Sequence, residues 1–310
     1  MFKQITIVGT GLIGGSVGLA LKRARFRGKV IGCDEPAVLA VAQKRKAIDR
    51  GARDCGQALR GSDLVVLATP VGAIIDLLDR FGPSLGKNVF VTDVGSTKAE
   101  IVACAQRVFG RDAARRFLGG HPMAGKELGG IEHADAQLFR GRPWFMTPLA
   151  GQELDEGPAA AWTELLGTIG ARVMTQTADR HDRMAAWTSH LPQMLSTALA
   201  STLEDFRERF AEEFGDDLDP EESGGRALRE MTRIAASPYE MWRDIALTNT
   251  TNIADALLQL EQKLMHMREN LRTRGLEEEF CRARGQNLKA EAQGTLRDPR
   301  SKNKKKTKQT

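Results

Sequence analysis

The chain has no long hydrophobic run and few cysteines. None of its apolar segments reaches the roughly 20 residues that a membrane helix requires. The N-terminal stretch MFKQITIVGTGLIGG is apolar like a signal peptide, but glycines interrupt it and no clean cleavage site ends it. We therefore expect a buried first strand and a cytoplasmic protein. The four cysteines include no C-x-x-C pair, which argues against a structural zinc site and against a disulfide framework.

The net charge of +5 does not describe the folded part of the chain. Residues 281–310 contain ten Lys or Arg and two Asp or Glu, so this segment carries +8 and the remainder carries −3. The segment has little apolar content and no interleaved aromatic residues, which is typical of a solvated, disordered end. We expect no nucleic-acid partner, although such a basic tail is also compatible with an acidic surface.

Short, almost continuously apolar segments dominate the first half of the chain. They include QITIVG, KVIGCD, DLVVLAT and NVFVTDV, followed by RFLGG, PWFMTP and ARVMTQT. Such segments are typical of strands buried on both faces, as in a parallel sheet. Amphipathic stretches between them, at 13–25, 71–81 and 153–169, predict right-handed strand–helix–strand units. We predict an α/β domain over residues 1–177, with a Rossmann-type doubly wound sheet.

Helical periodicity replaces the strand pattern after Thr177. Pro192 predicts a kink or local break, Pro238 predicts the first position of a helix, and the acidic stretch 212–225 predicts a loop. A long final helix carries one apolar face at Ile253, Leu257, Leu258, Leu260 and Leu264. We predict an all-α domain over residues 178–280. Its apolar helices indicate either a homodimer interface or ordinary core.

The segment VGTGLIGGS follows the first predicted strand and opens the first predicted helix. Gly9 permits a tight turn, Gly11 lets the backbone approach a pyrophosphate, and Gly14 allows close helix–strand packing. Asp34, at the end of the second strand, would accept hydrogen bonds from ribose hydroxyls and repel a 2′-phosphate, which favours NAD over NADP. The predicted cofactor-binding residues are Gly9, Gly11, Leu12, Ile13, Gly14, Asp34, Thr69, Pro70, Asp93 and Ser96.

Two further loops end at the same edge of the predicted sheet. TDVGSTK ends the predicted strand NVFVTDV and GGHPMAGKE ends the next one, so both converge on the nicotinamide end of a bound dinucleotide. His121 then becomes a candidate general base, since histidine titrates near neutral pH. Ser96 could bond a substrate hydroxyl or the imidazole. A Ser–His hydrolase is disfavoured because no nucleophile elbow is present, and no His, Asp or Glu cluster shows metal-ligand spacing.

Four motifs together resemble the prephenate and arogenate dehydrogenase family of tyrosine biosynthesis. They are DVGSTK, GGHPMAGKELGG, TSHLP and MTRIAAS…MWRDI, in this order, and the resemblance extends over about residues 3–270. It implies a Rossmann domain with a helical dimerisation domain, and an NAD-dependent oxidative decarboxylation. In that reaction hydride leaves a cyclohexadienol carbon, carbon dioxide departs and the ring becomes aromatic, without a metal.

The resemblance also implies residue roles. His121 would accept the hydrogen bond, and eventually the proton, of the ring hydroxyl, and Ser96 would orient that hydroxyl. Arg233 would bind a substrate carboxylate through its planar guanidinium. The further substrate-binding residues implied are Glu127 at the pocket mouth, His190, Gln193 and Trp242.

Some alternatives remain open at this point. Family members often carry histidine where this chain has Gln193, which leaves arogenate dehydrogenase or dual cyclohexadienyl specificity beside prephenate dehydrogenase. A β-hydroxy-acid dehydrogenase is disfavoured because no lysine lies between Lys126 and Lys263. A non-catalytic NAD-sensing protein is the third possibility.

Overall fold

A computed structural model describes residues 2–126, 128–215 and 220–292. The contacts divide the chain into two compact units, one ending at Ile253 and the other beginning at Ala254, and each is described on its own. Within the described residues, no helix is both long enough and apolar enough to cross a membrane.

Eight strands form one mixed sheet. The strands are β1 (Gln4–Val8), β2 (Lys29–Cys33), β3 (Arg50–Ala52), β4 (Leu64–Leu67), β5 (Phe90–Asp93), β6 (Phe117–Pro122), β7 (Pro143–Thr147) and β8 (Arg172–Thr175). Their order is β3-β2-β1-β4-β5-β6-β7-β8. The strands from β3 to β6 pair in parallel, as predicted, whereas β7 is antiparallel to β6. Among its described residues, the β6–β7 connection contains a 3₁₀ turn, Ile131–His133, and no crossover helix, and the chain reverses direction.

The α-helices lie between and after these strands. They are α1 (Leu12–Arg23), α2 (Pro36–Lys44), α3 (Cys55–Ala58), α4 (Val71–Phe81), α5 (Ala99–Phe109), α6 (Ala113–Arg116), α7 (Gly157–Thr168), α8 (Ala178–Ala185), α9 (Leu191–Phe214), α10 (Pro220–Thr232), α11 (Tyr239–Thr248), α12 (Thr250–Glu269) and α13 (Arg274–Ala292).

Hydrophobic cores lie on both faces of the sheet. Alternate residues of one strand enter different cores: in β4, Leu64 and Val66 belong to one and Val65 and Leu67 to the other. Because side chains alternate across a strand, a sheet covered on both faces needs an apolar residue at nearly every position. This explains the continuous apolar runs of the sequence. β3 was missed because its three residues, RGA, show no such run.

The helix α11 bonds to residues that follow β4 and β5 at the carboxyl edge of the sheet. The Asp244 carboxylate in α11 accepts a hydrogen bond from the Gly72 amide at 3.0 Å, and the Thr248 and Thr97 hydroxyls lie 2.7 Å apart. The helical segment before Ala254 therefore belongs to the same compact unit as the sheet. The domain limits 1–177 and 178–280 stay predictions.

Three local expectations in the helical segment need correction or refinement. The acidic stretch 212–225 is not simply a loop, since α9 continues to Phe214 and α10 starts at Pro220, with a break at Gly225 (φ 62°); residues 216–219 lie outside the described residues. A π-turn, Ala186–His190, precedes α9, whose first turn tolerates Pro192. Pro238 precedes α11 as its N-cap rather than occupying the first helical position.

The prediction of a disordered tail over residues 281–310 was wrong for the first part of that segment. The helix α13 includes residues 281–292, whose Ala, Glu, Arg and Leu content favours a helix despite the basic charge. Residues 293–310 lie outside the described part of the chain.

Cys33 and Cys55 form a disulfide, contrary to the expectation from the sequence. The two residues are 22 positions apart, and their Cα atoms lie 5.6 Å apart. Parallel pairing of β2 with β3 places Cys33 opposite Ala52, three residues before Cys55. Strand pairing therefore creates the proximity, which a search for C-x-x-C spacing cannot detect. Cys104 is buried and Cys281 exposed, and both are free thiols.

Candidate active site

The turn after β1 requires glycine at two positions for steric reasons. Gly9 has φ 90°, and a Cβ on it would lie 2.5 Å from the Ala68 carbonyl oxygen. A Cβ on Gly14 would lie 1.9 Å from the Gly9 carbonyl oxygen. In contrast, a Cβ on Gly11 would meet no atom of the described residues within 4 Å. The fold itself does not need glycine at position 11, so the open space there fits a ligand approaching the backbone.

The N-terminus of α1 fits a phosphate group. Gly11 is its N-cap and no side chain caps it, which leaves the amides of Leu12 and Ile13 at the positive end of the helix dipole. Thr69, at the end of β4, contacts the same turn, and its buried hydroxyl has no hydrogen-bond partner among the described residues. Pro70 beside it is exposed and caps α4. These features match a dinucleotide crevice.

Asp34 lies beside this turn at the end of β2. Its carboxylate accepts hydrogen bonds from the Thr10 amide at 2.6 Å and the Thr10 hydroxyl at 3.1 Å, and the Glu35 amide donates to it at 2.8 Å. The side chain is half-buried. The carboxylate is therefore held at the edge of the crevice, where it could also accept from ribose hydroxyls.

Asp93 and Lys98 form a fully buried ion pair at the base of the loops TDVGSTK and GGHPMAGKE. The Asp93 carboxylate also accepts from the Gly95 amide at 2.8 Å and the Gly120 amide at 3.1 Å, while the Lys98 ammonium donates to the Gly120 carbonyl at 2.8 Å. Burial lowers the pKa of Lys98, and Asp93 opposes that effect. Asp93, predicted to bind cofactor, makes internal contacts that tie the Ser96 loop to the strand carrying His121.

His121 lies at the end of β6, 8% exposed. Its Nδ1 lies 2.8 Å from His181 Nε2, and His181 Nδ1 lies 2.8 Å from Asp182 Oδ1. Asp182 also accepts from the amides of Lys98 at 2.7 Å and Ala99 at 2.8 Å, at the N-terminus of α5. His181 and Asp182 are buried. The three side chains form a continuous hydrogen-bonded series, referred to below as the histidine chain.

The histidine chain assigns the proton positions. The Asp182 carboxylate can only accept, so His181 carries its proton on Nδ1 and presents a lone pair on Nε2. His121 must then donate from Nδ1, which leaves a lone pair on its Nε2. Burial lowers the pKa of His121 well below 6.5, and the nearby positive charge of Lys98 acts in the same direction. His121 is therefore a neutral base with one free acceptor nitrogen.

Ser96 lies in the loop between β5 and α5 and is half-buried. The neighbouring Thr97 and Lys98 are both buried and bonded, as described above, so the loop is fixed around it. The Ser96 hydroxyl makes no hydrogen bond with the described residues, which leaves it available to a ligand.

His190 and Trp242 form a second group. Their rings are 5.9 Å apart in an edge-to-face arrangement, and His190 is fully buried. The Asn249 amide lies 3.2 Å from His190 Nδ1 and bonds the Asp182 carbonyl at 2.9 Å, so His190 Nδ1 accepts and its Nε2 carries the proton. Burial lowers the pKa of His190 to about 4. Its Nε2 and the Trp242 Nε1 are buried donors without a described partner, which fits a ligand with acceptor oxygens.

Arg233 and Gln193 lie where the segment after α10 packs against α9. Arg233 begins the 3₁₀ turn Arg233–Ala236 and lines an open cavity of about 600 Å³ that also contains Lys126 and His133. The Gln193 side chain, 5% exposed, donates to the Ile234 carbonyl at 2.8 Å and accepts from Ser237 at 3.3 Å. Gln193 thus holds the Arg233 segment rather than facing the cavity. Glu127 lies outside the described residues.

Two family models match the chain over most of its length. The model for the prephenate dehydrogenase nucleotide-binding domain matches residues 17–175, and the model for the prephenate dehydrogenase dimerization domain matches residues 177–284. The chain belongs to the prephenate dehydrogenase family. This confirms the resemblance drawn from the four motifs, and the first unit contains the nucleotide-binding domain of that family.

Individual relatives support the same family assignment. A prephenate dehydrogenase of Lactococcus lactis is 32% identical over 248 residues, which cover 80% of this chain and 65% of that protein. This chain therefore spans just under two thirds of that relative. The cyclohexadienyl dehydrogenase of Zymomonas mobilis is 31% identical over 283 residues, 88% of each chain. A solved structure of Aquifex aeolicus prephenate dehydrogenase, in complex with hydroxyphenyl propionate and NAD+, matches with a TM-score of 0.82 at 29% identity, covering 96% of this chain and 99% of that one.

Three residues of the site were not predicted from the sequence: His181, Asp182 and Lys98. The adjacent pair His-Asp at the start of a helix is the one local signal that could have indicated a polarised histidine. Among the described residues, no group of three or more His, Cys, Asp or Glu side chains is arranged to hold a metal ion.

Proposed function

We propose that the chain is an NAD-dependent prephenate dehydrogenase that converts prephenate to 4-hydroxyphenylpyruvate. The observation that carries the proposal is the histidine chain, which ends in a free lone pair on His121 Nε2 at the same edge of the sheet as a glycine turn fitted to a dinucleotide. Membership in the family and a relative whose solved structure contains NAD+ support the cofactor assignment.

His121 acts as the general base. Bound NAD+ would supply the hydride acceptor. As hydride leaves the carbinol carbon, positive charge develops there, and His121 Nε2 accepts the hydrogen bond and then the proton of the hydroxyl on that carbon. The resulting imidazolium is stabilised through His181 by the Asp182 carboxylate, as a buried carboxylate stabilises an oriented histidine in other enzymes. The bond to the ring carboxylate then breaks and carbon dioxide leaves. Its electron pair enters the ring, which becomes aromatic, and the phenolate oxygen takes the proton back from His121.

The remaining residues bind and orient. Ser96 positions the ring hydroxyl, and the fixed loop around it limits the rotation of substrate. Arg233 binds a substrate carboxylate. The unpaired donors of His190 and Trp242 bind substrate oxygens, and both side chains close the pocket against water. Since Arg233 binds ground state and transition state alike, its replacement should mainly raise KM.

The cofactor contacts follow from the turn. The amides of Leu12 and Ile13 bind the pyrophosphate, Gly11 permits its approach, and Asp34 binds the ribose hydroxyls. Thr69 and Pro70 line the crevice between the two halves of the cofactor.

A dual specificity is the second candidate. The Zymomonas relative is named a cyclohexadienyl dehydrogenase and aligns over 88% of this chain. The helical segment would additionally form a homodimer, which its match to a dimerization domain supports, and the enzyme would act in the cytoplasm.

Steady-state rates with NAD+ on prephenate and on arogenate test the proposal. We expect reduction of NAD+ with prephenate, together with release of one carbon dioxide per turnover. Comparable kcat/KM for arogenate would assign dual specificity, and a strong preference for arogenate would make the chain an arogenate dehydrogenase. Absence of turnover with both substrates would contradict the proposal.

A further inference from the structure

The disulfide between Cys33 and Cys55 lies at the adenosine end of the proposed cofactor crevice. Cys33 is the last residue of β2 and directly precedes Asp34. Cys55 begins α3, after the short edge strand β3. Both therefore lie at the carboxyl edge of the sheet, where a dinucleotide binds.

The backbone of Cys33 also supports the glycine turn. The Gly9 amide donates to the Cys33 carbonyl at 2.9 Å, and the adjacent Asp34 accepts from Thr10. The position of Cys33 thus fixes both the first glycine of the turn and the carboxylate proposed to bind ribose. A crosslink to Cys33 acts on the part of the crevice that recognises the adenosine half.

The other end of the crosslink has few restraints. The strand β3 has only three residues and lies at the edge of the sheet, paired with β2 alone. The flanking Arg53 and Asp54 are exposed, and Cys55 itself is half-buried, whereas Cys33 is 2% exposed. Of the two cysteines, Cys55 is thus the more exposed and the one that an external thiol would attack.

We propose that Cys33 and Cys55 form a reversible thiol–disulfide site that sets the affinity of the enzyme for NAD(H). The inference rests on the proposed use of NAD. In the oxidised state the crosslink ties the β3–α3 turn to β2 and preorganises the adenosine end of the crevice. In the reduced state this tie is lost. The turn must then become ordered when NAD(H) binds, which makes the binding free energy less favourable.

The exchange partner is a small disulfide such as glutathione disulfide. The Cys55 thiolate attacks one sulfur of that disulfide, its S–S bond breaks, and one glutathione leaves as the thiol. The Cys33 thiolate then attacks the sulfur of Cys55 and expels the second glutathione. Two electrons pass from the protein thiols to the glutathione disulfide, and the two protons end on the released thiols.

A glutathione redox titration of the full-length chain tests the first step. Samples are quenched with acid and alkylated, and the Cys33–Cys55 peptide pair is followed by mass spectrometry. We expect both residues to pass together between alkylated and linked forms as the ratio of disulfide to thiol changes, whereas Cys104 and Cys281 stay unlinked to them. Failure of Cys33 and Cys55 to link at any ratio would overturn the proposal.

Calorimetric titration with NADH tests the second step. We expect the oxidised enzyme to bind NADH about three- to tenfold more tightly than the reduced enzyme. The Cys55→Ser variant should show the weaker affinity in both buffers, and Cys281→Ser, which changes an exposed thiol, should keep the full redox response. Thermal unfolding checks that Cys55→Ser is folded.

The outcomes separate the two proposals. Equal NADH affinity in both redox states overturns the redox inference and leaves the proposed function intact. If neither state binds NADH, the NAD-dependent function is wrong, and the inference is wrong with it.

Discussion

The glycine turn and the histidine chain lie at the same edge of the sheet, but the chain specifies them in different ways. The glycine turn is local: Gly9 and Gly14 contact each other within one strand–helix junction. The histidine chain joins residues that are far apart, with His121 and His181 separated by 60 positions and Lys98 and Asp182 by 84. One site can therefore be deduced from a motif, whereas the other exists only after folding.

The two regions also use different chemistry. The turn offers backbone amides and empty space, and its glycines matter because they have no side chain. The histidine chain offers side chains whose protons are ordered by one buried carboxylate. Binding of a dinucleotide and proton transfer should thus respond to separate substitutions, which makes the comparison testable.

The largest effect is expected from His121→Asn. Removal of the base should lower kcat by about two to four orders of magnitude. The Kd for NADH should stay unchanged because the glycine turn makes no use of His121. Steady-state kinetics and calorimetric NADH titration measure the two quantities.

His266→Asn serves as the matched control, since it changes a histidine in α12 far along the chain from both sites and should leave kcat unaltered. Unchanged turnover in His121→Asn would remove this residue from its role as base. A parallel loss of NADH binding would show that the two regions are not independent.

A smaller effect is expected from His181→Phe. Without an acceptor on position 181, the His121 imidazole no longer has a fixed tautomer, and kcat should fall by roughly one to two orders of magnitude. His181→Gln keeps an acceptor oxygen and should retain more of kcat than the Phe variant.

The pH profile distinguishes this orienting role from a structural one. In the unchanged enzyme the pKa of His121 lies well below 6.5, so kcat/KM should be flat above that pH and should decline only at lower pH, where Nε2 becomes protonated. Because His181 accepts a hydrogen bond from His121 Nδ1 and so stabilises the imidazolium, its replacement by Phe should lower the pKa of His121 further and move the acid limb to still lower pH. An unmoved limb together with a lower melting temperature would assign His181 a structural role only.

The sequence was sufficient for seven of the eight strands and for the glycine turn. Buried strands leave continuous apolar runs, and β1 with its glycines shows strand, turn and helix within twenty residues. The family motifs also pointed to His121, at the end of β6, and to Ser96, in the loop after β5.

The sequence was not sufficient for contacts that depend on strand pairing or on helix placement. Cys33 and Cys55 are brought together by the register of β2 and β3. Asp182 reaches Lys98 only because α8 packs against α5. Gln193, expected to touch substrate, holds the Arg233 segment instead, and this depends on how α9 lies against the 3₁₀ turn.

The smallest effect tests the local region alone. Gly11→Ala places a methyl group where no described atom lies within 4 Å, so the protein should fold normally. The methyl group would instead occupy the space proposed for the pyrophosphate, and NADH should bind roughly tenfold more weakly, which corresponds to about 1.4 kcal/mol. The exposed Gly167 in α7 also has no atom within 4 Å, and Gly167→Ala should leave NADH binding unchanged while raising helix stability by up to about 1 kcal/mol. Equal affinity in the two variants would mean that the open space at Gly11 is not used by the cofactor, and the glycine turn would then owe its sequence to folding alone.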